Sequence, residues 1–296
     1  MSSESKYTNL RKPPWLKIKP NFGPVYIEVK SLIKGLNLHT VCQEASCPNI
    51  GECFSARTAT FIILGDKCTR NCRFCDVQPG RPSPVDCEEP SRVAEAVQRL
   101  KLKFVVITSV TRDDLPDGGA NIFAETIRKI KDSNPLCRTE VLIPDFKGSR
   151  DALEIVMKAR PDVLAHNVET VPELYRKVRP QADYRRSLGV LSYASENNID
   201  SIVKSGMMIG LGENLDQITG VLRDVAGSGC QIFTVGQYLS PSKEHLPVAK
   251  FYTPEEFDKI KDIGESLGIK HMVSGPLVRS SYMAHNQEAE YLNKAF

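Results

Sequence analysis

Six cysteines in two short runs are the residues of this 296-residue chain best suited to chemistry. Cys68, Cys72 and Cys75 stand in Cys-Thr-Arg-Asn-Cys-Arg-Phe-Cys, and the short loops between them can wrap the corners of an iron–sulfur cube. A 4Fe–4S cube is normally closed by four cysteines, one per iron. Three leave one iron open, and an open coordination position is what a reactive site requires and a structural site avoids. A zinc hook is the alternative for this run taken alone, although zinc sites generally pair two hooks far apart, with four ligands in all.

The second run lies just upstream. Cys42, Cys47 and Cys53 have C-x4-C-x5-C spacing, too open for a zinc hook and again one ligand short. Pro48 and Gly51 break helices, so the segment is expected to be a loop that folds around a cluster. Disulfides are disfavoured, because six cysteines between residues 42 and 75 with no visible export signal read as metal ligands. Cys87, Cys137 and Cys230 have no partners at ligand spacing and are expected to be loop or buried thiols.

Composition agrees with a globular enzyme in a reducing compartment, and a cytoplasmic location is expected. Hydrophobic residues make up 41% and charged residues 25%, so disorder is expected only at the ends. Apolar runs such as 61–64 and 104–107 are too short to span a bilayer, and Glu4, Lys6, Arg11 and Lys12 interrupt any signal-peptide core. A net charge of +3 does not argue for nucleic acid. Arg11, Lys12, Lys17 and Lys19, interleaved with Pro13, Pro14, Trp15 and Pro20, form an extended basic arm with little reason to be helical. Such an arm is either a solvated tail or a docking segment for an acidic partner.

Short apolar strands alternating with amphipathic helices must position the cysteines. Strands are expected near 61–65, 104–110, 138–144, 163–168, 205–211, 231–238 and 271–277. Val93, Ala96, Val97 and Leu100 fall on one helix face. Thr253-Pro254-Glu255-Glu256 reads as a capping box opening a helix with Phe257, Ile260, Ile263 and Leu267 as its stripe. About six βα units predict an α/β fold, a partial (β/α)6 barrel of TIM type. Residues 59–270 would form the barrel, 1–58 an N-terminal extension with the second cysteine set, and 271–296 a C-terminal segment. In such barrels the loops after the strands form the active face. Those loops hold Cys68–Cys75, Arg112–Gly119, Asn167 and Glu169, Gly210–Glu213, and Gln237–Pro241.

The C-x3-C-x2-C spacing resembles the signature of the radical S-adenosylmethionine superfamily. The chain as a whole resembles lipoyl synthases, through residues 41–53, the run from Cys68 through Val77, Asp113–Ala120, His166–Thr170 and the C-terminal Arg279-Ser280-Ser281-Tyr282. Asn214 is a departure, standing where the pattern leads one to expect Thr. The resemblance implies a sulfurtransferase that inserts sulfur at the sixth and eighth carbons of a lysine-bound octanoyl chain, cleaving S-adenosylmethionine as cosubstrate. It implies two 4Fe–4S clusters. One, on Cys68, Cys72 and Cys75, binds S-adenosylmethionine through its open iron. The other is an auxiliary cluster on Cys42, Cys47, Cys53 and Ser281, and its sulfides are the donated atoms.

Ser280 is the near competitor of Ser281, and both also read as ordinary hydroxyls. Arg279 would guard the labile iron or orient substrate, while Tyr282 reads as packing. The resemblance carries S-adenosylmethionine contacts onto Phe74, Gly118, Gly119, Asn167, Glu169, Met208 and Gly210. Each has a plain alternative: a turn for Gly118 and Gly119, a loop cap for Asn167, core for Met208. Implied partners are octanoylated lipoyl carrier domains (acyltransferase subunits of 2-oxo acid dehydrogenases, the glycine cleavage H protein), a reductant such as ferredoxin or flavodoxin, and an iron–sulfur carrier for cluster repair. Neither nucleic acid nor membrane is expected. Other radical enzymes with an auxiliary cluster, such as biotin-synthase-like or methylthiolating enzymes, fit the Arg279–Tyr282 motif less well. Electron carriers are complete in cysteine ligands, whereas both sets here are one short.

Overall fold

In the computed structural model, residues 11–18, 22–197 and 200–295 are described. Lys19 and Pro20 of the basic arm lie outside them. Eight strands form one sheet in sequence order: β1 (His39–Thr40), β2 (Thr60–Ile63), β3 (Phe104–Ser109), β4 (Arg138–Leu142), β5 (Val163–Ala165), β6 (Ile202–Ile209), β7 (Ile232–Gln237) and β8 (His271–Gly275). β1 pairs antiparallel to β2, and every later neighbour is parallel. Apolar runs such as Thr60–Ile63 form strands because each is buried on both faces between the barrel interior and the helices outside. Six crossovers link β2 to β8, so the open, partial barrel matches the sequence expectation. The sheet continues through β8, past the expected barrel boundary at residue 270.

The helices are α1 (Pro24–Gly35), α2 (Val41–Glu44), α3 (Ile50–Ser55), α4 (Glu89–Leu100), α5 (Ala120–Ser133), α6 (Arg150–Lys158), α7 (Tyr175–Val178), α8 (Tyr184–Asn197), α9 (Leu215–Gly227), α10 (Pro254–Ser266) and α11 (Ala284–Ala295). The stripe Val93, Ala96, Val97 and Leu100 is buried on α4 as its period requires. Thr253 caps α10 in the expected box with Glu256. Among the described residues no helix is long and apolar enough to cross a membrane.

Two local expectations are corrected. The Cys42–Cys53 segment is not a continuous loop: α2 carries Cys42, α3 carries Cys53, and only the stretch around Cys47 is irregular. Gly51 sits in the first turn of α3, where its cost of about 1 kcal/mol is tolerable, and Pro48 precedes the cap residue Asn49 instead of interrupting the helix. The basic arm contains a single 3-10 turn at Pro14–Leu16, since proline fits a first helical position. Leu16 is buried, and Trp15 Nε1 donates to the Tyr252 carbonyl at 3.2 Å, anchoring the arm to the barrel.

The departure at Asn214 has a local explanation. Asn214 caps α9 by accepting from Gln217 N–H at 2.9 Å, and the Gln217 side chain answers the Asn214 N–H at 2.9 Å. Threonine would serve the same geometry. Asn214→Thr is therefore expected to change stability by less than about 0.5 kcal/mol, and Asn214→Ala to cost about 1 kcal/mol, read by urea unfolding.

α11 covers the N-terminal ends of the strands. Tyr291 packs with Val163, Ile202 and Ile232, and Arg138 at the start of β4 holds Glu288 at 2.7–2.9 Å. Above this floor the register sets Val106, Glu140 and Val163 side by side, and Lys204 Nζ grips both Glu140 oxygens at 2.8 and 2.9 Å. From the far end of β7, where the Val278 carbonyl fills the space a Gly236 Cβ would need, the chain descends to His285 beside Phe104 at the start of β3. The motif residues Arg279–Tyr282 thus line the inside of the open barrel.

Candidate functional site

The loop after β2 carries Cys68, Cys72 and Cys75, and backbone bonds from several loops fix its shape. Cys68 N–H donates to the Gln78 carbonyl at 2.9 Å, and its own carbonyl accepts from Gly80 at 2.8 Å. Arg73 N–H reaches the Val178 carbonyl at 2.9 Å, and His245 Nε2 lies 3.1 Å from the Cys75 carbonyl. The Cys68 sulfur accepts N–H groups of Arg70 at 3.4 Å and Thr111 at 3.3 Å, contacts of the kind that tune a cluster's potential. Burial pushes the Cys75 thiol up to about 12 and raises Cys72, which the Arg179 guanidinium partly opposes. Thiols so placed stay protonated until a metal displaces the proton.

Beneath the loop lies a buried ion network. Arg70 Nε and Nη2 reach the Asp113 carboxylate at 2.7 and 3.0 Å, and Nη2 reaches Asp145 at 2.6 Å. Arg186 also meets Asp145 at 3.2 Å. Burial works against the Asp145 charge, but Arg70 holds its carboxyl well below the usual range.

The chain beyond β5 supplies a second wall. His166 is buried between the Ile143 carbonyl and Ser187 Oγ, and burial lowers it to about 4, so it is neutral at pH 7. Asn167 Nδ2 donates to Glu169 Oε1 and Ser280 Oγ, both at 3.3 Å. Glu169 adopts a left-handed φ of 65°, which turns it from β5 onto β6. Burial raises its carboxyl while Arg179 pulls it down. Arg179 Nη1 donates to the Asn167 carbonyl at 3.1 Å. Asn167 Oδ1 and Arg179 Nε are buried with no hydrogen-bond partner among the described residues. Such orphans are rare unless a ligand or water satisfies them, so the wall beside Cys72 fits a polar ligand.

Phe74 and Met208 come together in one apolar cluster with Val178, Leu211, Tyr238 and Leu246. Gly210, at φ 108°, has no room for a Cβ against Gln237 and the Lys250 carbonyl. Gly118 and Gly119 open α5, and their N–H groups are spent within the turn, on the Leu115 carbonyl at 3.2 Å and Asp117 Oδ1 at 2.9 Å. Phe146 and Leu64 fill the space their side chains would take.

The second set lines a cavity shared with Arg279, Ser281 and Tyr282. Burial raises Cys42 to about 12 and Cys53 to about 11, and it raises Cys47 too, where the Arg279 guanidinium opposes it. Asn49 Nδ2 donates to the Leu277 carbonyl and Tyr282 OH to Glu52 Oε2, both at 2.9 Å, latching the cysteine helices to the C-terminal segment. Tyr282 is therefore a latch as well as packing. Ser280 faces Asn167 instead. Three thiols, a hydroxyl and a neighbouring cation make a donor set suited to an anionic iron–sulfur cluster. Cys87 is exposed, and Cys137 and Cys230 are buried.

Arg70, Asp145 and Arg179 escaped the sequence reading, and Asp113 entered it only as part of the Arg112–Gly119 and Asp113–Ala120 segments. Their only sequence signal is position in loops after strands, which gives neither partner nor burial.

Residues 62–225 match the radical SAM superfamily, and residues 2–47 match the N-terminal domain of lipoyl synthase of the radical SAM family. The chain is 56% identical over 276 residues to the lipoyl synthase of Rubrobacter xylanophilus, covering 93% of this chain and 86% of that protein. It is 56% identical over 274 residues to that of Caldicellulosiruptor saccharolyticus, covering 93% and 96%. Among solved structures, the FeFe-hydrogenase maturase HydG from Carboxydothermus hydrogenoformans aligns with a TM-score of 0.54 at 18% identity, over 79% of this chain and 65% of that one. Streptococcus suis SuiB bound to S-adenosylmethionine aligns with a TM-score of 0.54 at 13% identity, over 80% and 56%. These two likenesses speak to the fold.

Proposed function

The chain belongs to the lipoyl synthase family, and from that premise we propose how its two thiol sets divide the work. It is a radical S-adenosylmethionine enzyme that inserts sulfur at the sixth and eighth carbons of a protein-bound octanoyl-lysine chain, giving the lipoyl cofactor. Its class is sulfurtransferase. Cys68, Cys72 and Cys75 hold the cluster that engages S-adenosylmethionine, and Cys42, Cys47, Cys53 and Ser281 hold an auxiliary 4Fe–4S cluster. When bound, the clusters supply the electron for reductive cleavage of S-adenosylmethionine and, on the auxiliary side, the sulfur.

One observation carries this reading: Asn167 touches both Glu169, beside the first thiol set, and Ser280, next to the residue that lines the second. That shared contact supports reading the two sets as facing one chamber. Engagement of Ser280 by Asn167 supports Ser281 as the ligand. Asn167 and Arg179 offer polar atoms to the methionine or ribose of S-adenosylmethionine, with Glu169 as a further contact. Phe74, Met208 and Gly210 suit the adenine side, and Gly118 with Gly119 shapes the neighbouring turn. Arg279 balances negative charge near Cys47. A carbon radical abstracts hydrogen indiscriminately, so the latches Asn49–Leu277 and Tyr282–Glu52 matter by excluding water.

We assign residues 1–58 and 271–296 to the auxiliary side and 59–270 to the barrel. The partners we propose are lipoyl carrier domains of 2-oxo acid dehydrogenases and the glycine cleavage H protein, ferredoxin or flavodoxin as reductant, and an iron–sulfur carrier, all in the cytoplasm. Reduced, anaerobic enzyme with S-adenosylmethionine and an octanoylated lysyl peptide should give lipoyl peptide by mass spectrometry. Recovery of unmodified peptide alongside 5′-deoxyadenosine would remove the reading.

The basic arm is the candidate for gripping a carrier. Arg11, Lys12 and Lys17 are exposed while Leu16 and Trp15 anchor the segment. Reversing these three charges to Glu is expected to raise KM several-fold for an acidic carrier domain at low salt, and leave KM for a short peptide unchanged. Equal losses with both substrates would assign the arm to structure.

A further inference from the structure

A surface hollow adjoins the auxiliary thiol cavity on the side away from the barrel mouth. Its walls include Arg57, Arg99, Lys101 and Lys103, and it shares Thr58, Phe104, Met283 and His285 with the cavity that holds Cys42, Cys47 and Cys53. Lys103 and Phe104 stand at the start of β3, whereas Cys68–Cys75 follow the end of β2. With β2 only four residues long, the two ends lie roughly 13 Å apart along the strand. Thr58 leads inward, its N–H and Oγ donating to the Cys53 carbonyl at 2.8 and 2.9 Å.

The charge around the hollow is one-sided. Arg57 is neutralised by Glu28 at 2.7 Å and Arg99 faces Glu95 at 3.1 Å. Lys101 and Lys103 are exposed and have no carboxylate partner among the described residues. Arg57, Lys101 and Met283 all hold left-handed φ angles of 48–55°, a conformation costly for residues other than glycine that keeps the backbone turned out around the opening.

We propose that this hollow is a second entrance to the auxiliary thiols, which draws in small sulfur-containing anions such as hydrosulfide without passage through the barrel mouth. The proposal rests on the reading that Cys42, Cys47 and Cys53 hold a cluster that is spent and rebuilt. Two uncompensated lysines at a concave rim raise the local concentration of anions and repel bare cations, so the route favours sulfide over ferrous iron. Separation from the mouth lets the site be resupplied while carrier and S-adenosylmethionine occupy the other end.

The test compares iodoacetate with iodoacetamide, near-isosteric probes that differ in charge. The full-length chain, freed of metal, is alkylated at low ionic strength and the adducts are mapped cysteine by cysteine by mass spectrometry. The iodoacetate-to-iodoacetamide ratio at Cys53, divided by that at exposed Cys87, should exceed one. It should fall about tenfold in Lys101→Glu/Lys103→Glu, and fall in wild type on adding salt. Lys147→Glu, at the mouth beside Asp113, should leave it unchanged. An unchanged ratio in the rim variant, or a fall only in Lys147→Glu, would overturn the second entrance. Iron counted after reconstitution reports separately whether the set holds a cluster at all, so failure of the entrance and failure of the cluster reading are distinguishable.

Discussion

Alanine at Cys68, Cys72 or Cys75 is expected to abolish cleavage of S-adenosylmethionine, with 5′-deoxyadenosine falling below detection. In the proposed assignment each thiol would hold one corner of a cube, and loss of one would expose a second iron. Of the polar groups near the set, Arg179 and the N–H groups on Cys68 are donors unsuited to binding iron, and the Glu169 carboxylate is already engaged by Asn167. The fold should persist, since the loop is held by backbone bonds to the segments after β3, α7 and β7. Near-wild-type circular dichroism with no 5′-deoxyadenosine, measured under strong chemical reductant, is the predicted pair. Retained cleavage in Cys72→Ala would place the reactive cluster elsewhere.

Arg70→Met is expected to be the most destabilising substitution near the site, by about 3–5 kcal/mol at pH 7. It leaves Asp145, whose side chain is fully buried, with the partly exposed Arg186 as its one remaining ion pair among the described residues. The sign with pH follows from the same contact. Arg70 lowers the Asp145 pKa below its unfolded value of about 3.9, so the stabilisation is complete above that value and is lost as pH falls below it. In the variant burial raises the carboxyl, and protonation relieves it. The gap between wild type and variant should therefore be widest at neutral pH and narrow below about pH 4, read by urea unfolding across the range. Arg70→Met combined with Asp145→Asn should recover much of the loss, because it removes the buried charge itself. A gap that does not change with pH would mean that Arg70 acts by packing alone.

The barrel was legible in sequence wherever one physical pattern governed it. Val93 to Leu100 repeats at the helical period, and Thr253 and Glu256 carry their own capping chemistry. Cysteine spacing announced both thiol sets. What stayed hidden depends on three-dimensional convergence. Arg70 and Asp145 are 75 positions apart, and only the order of strands brings them within 2.6 Å. Lys204 fell outside the strand expected near 205–211, and its partner Glu140 lies two strands away. The helices at Cys42 and Cys53 were obscured because proline and glycine sit at a helix start, where their penalties are small. Ser280 and Ser281 are adjacent and chemically alike, and only their places in the fold separate them, Ser280 on Asn167 and Ser281 in the thiol cavity.

In the proposed division of labour the two thiol sets perform separate steps. Cys47→Ala, assayed under reducing, anaerobic conditions for both 5′-deoxyadenosine and thiolated octanoyl product, tests it most directly. Cys47 sits in the irregular stretch between α2 and α3, where alanine costs least to the fold. The account predicts measurable 5′-deoxyadenosine with no lipoyl product. Lipoyl product from Cys47→Ala would contradict it, since sulfur would then reach the chain from a source other than the set on Cys42, Cys47 and Cys53.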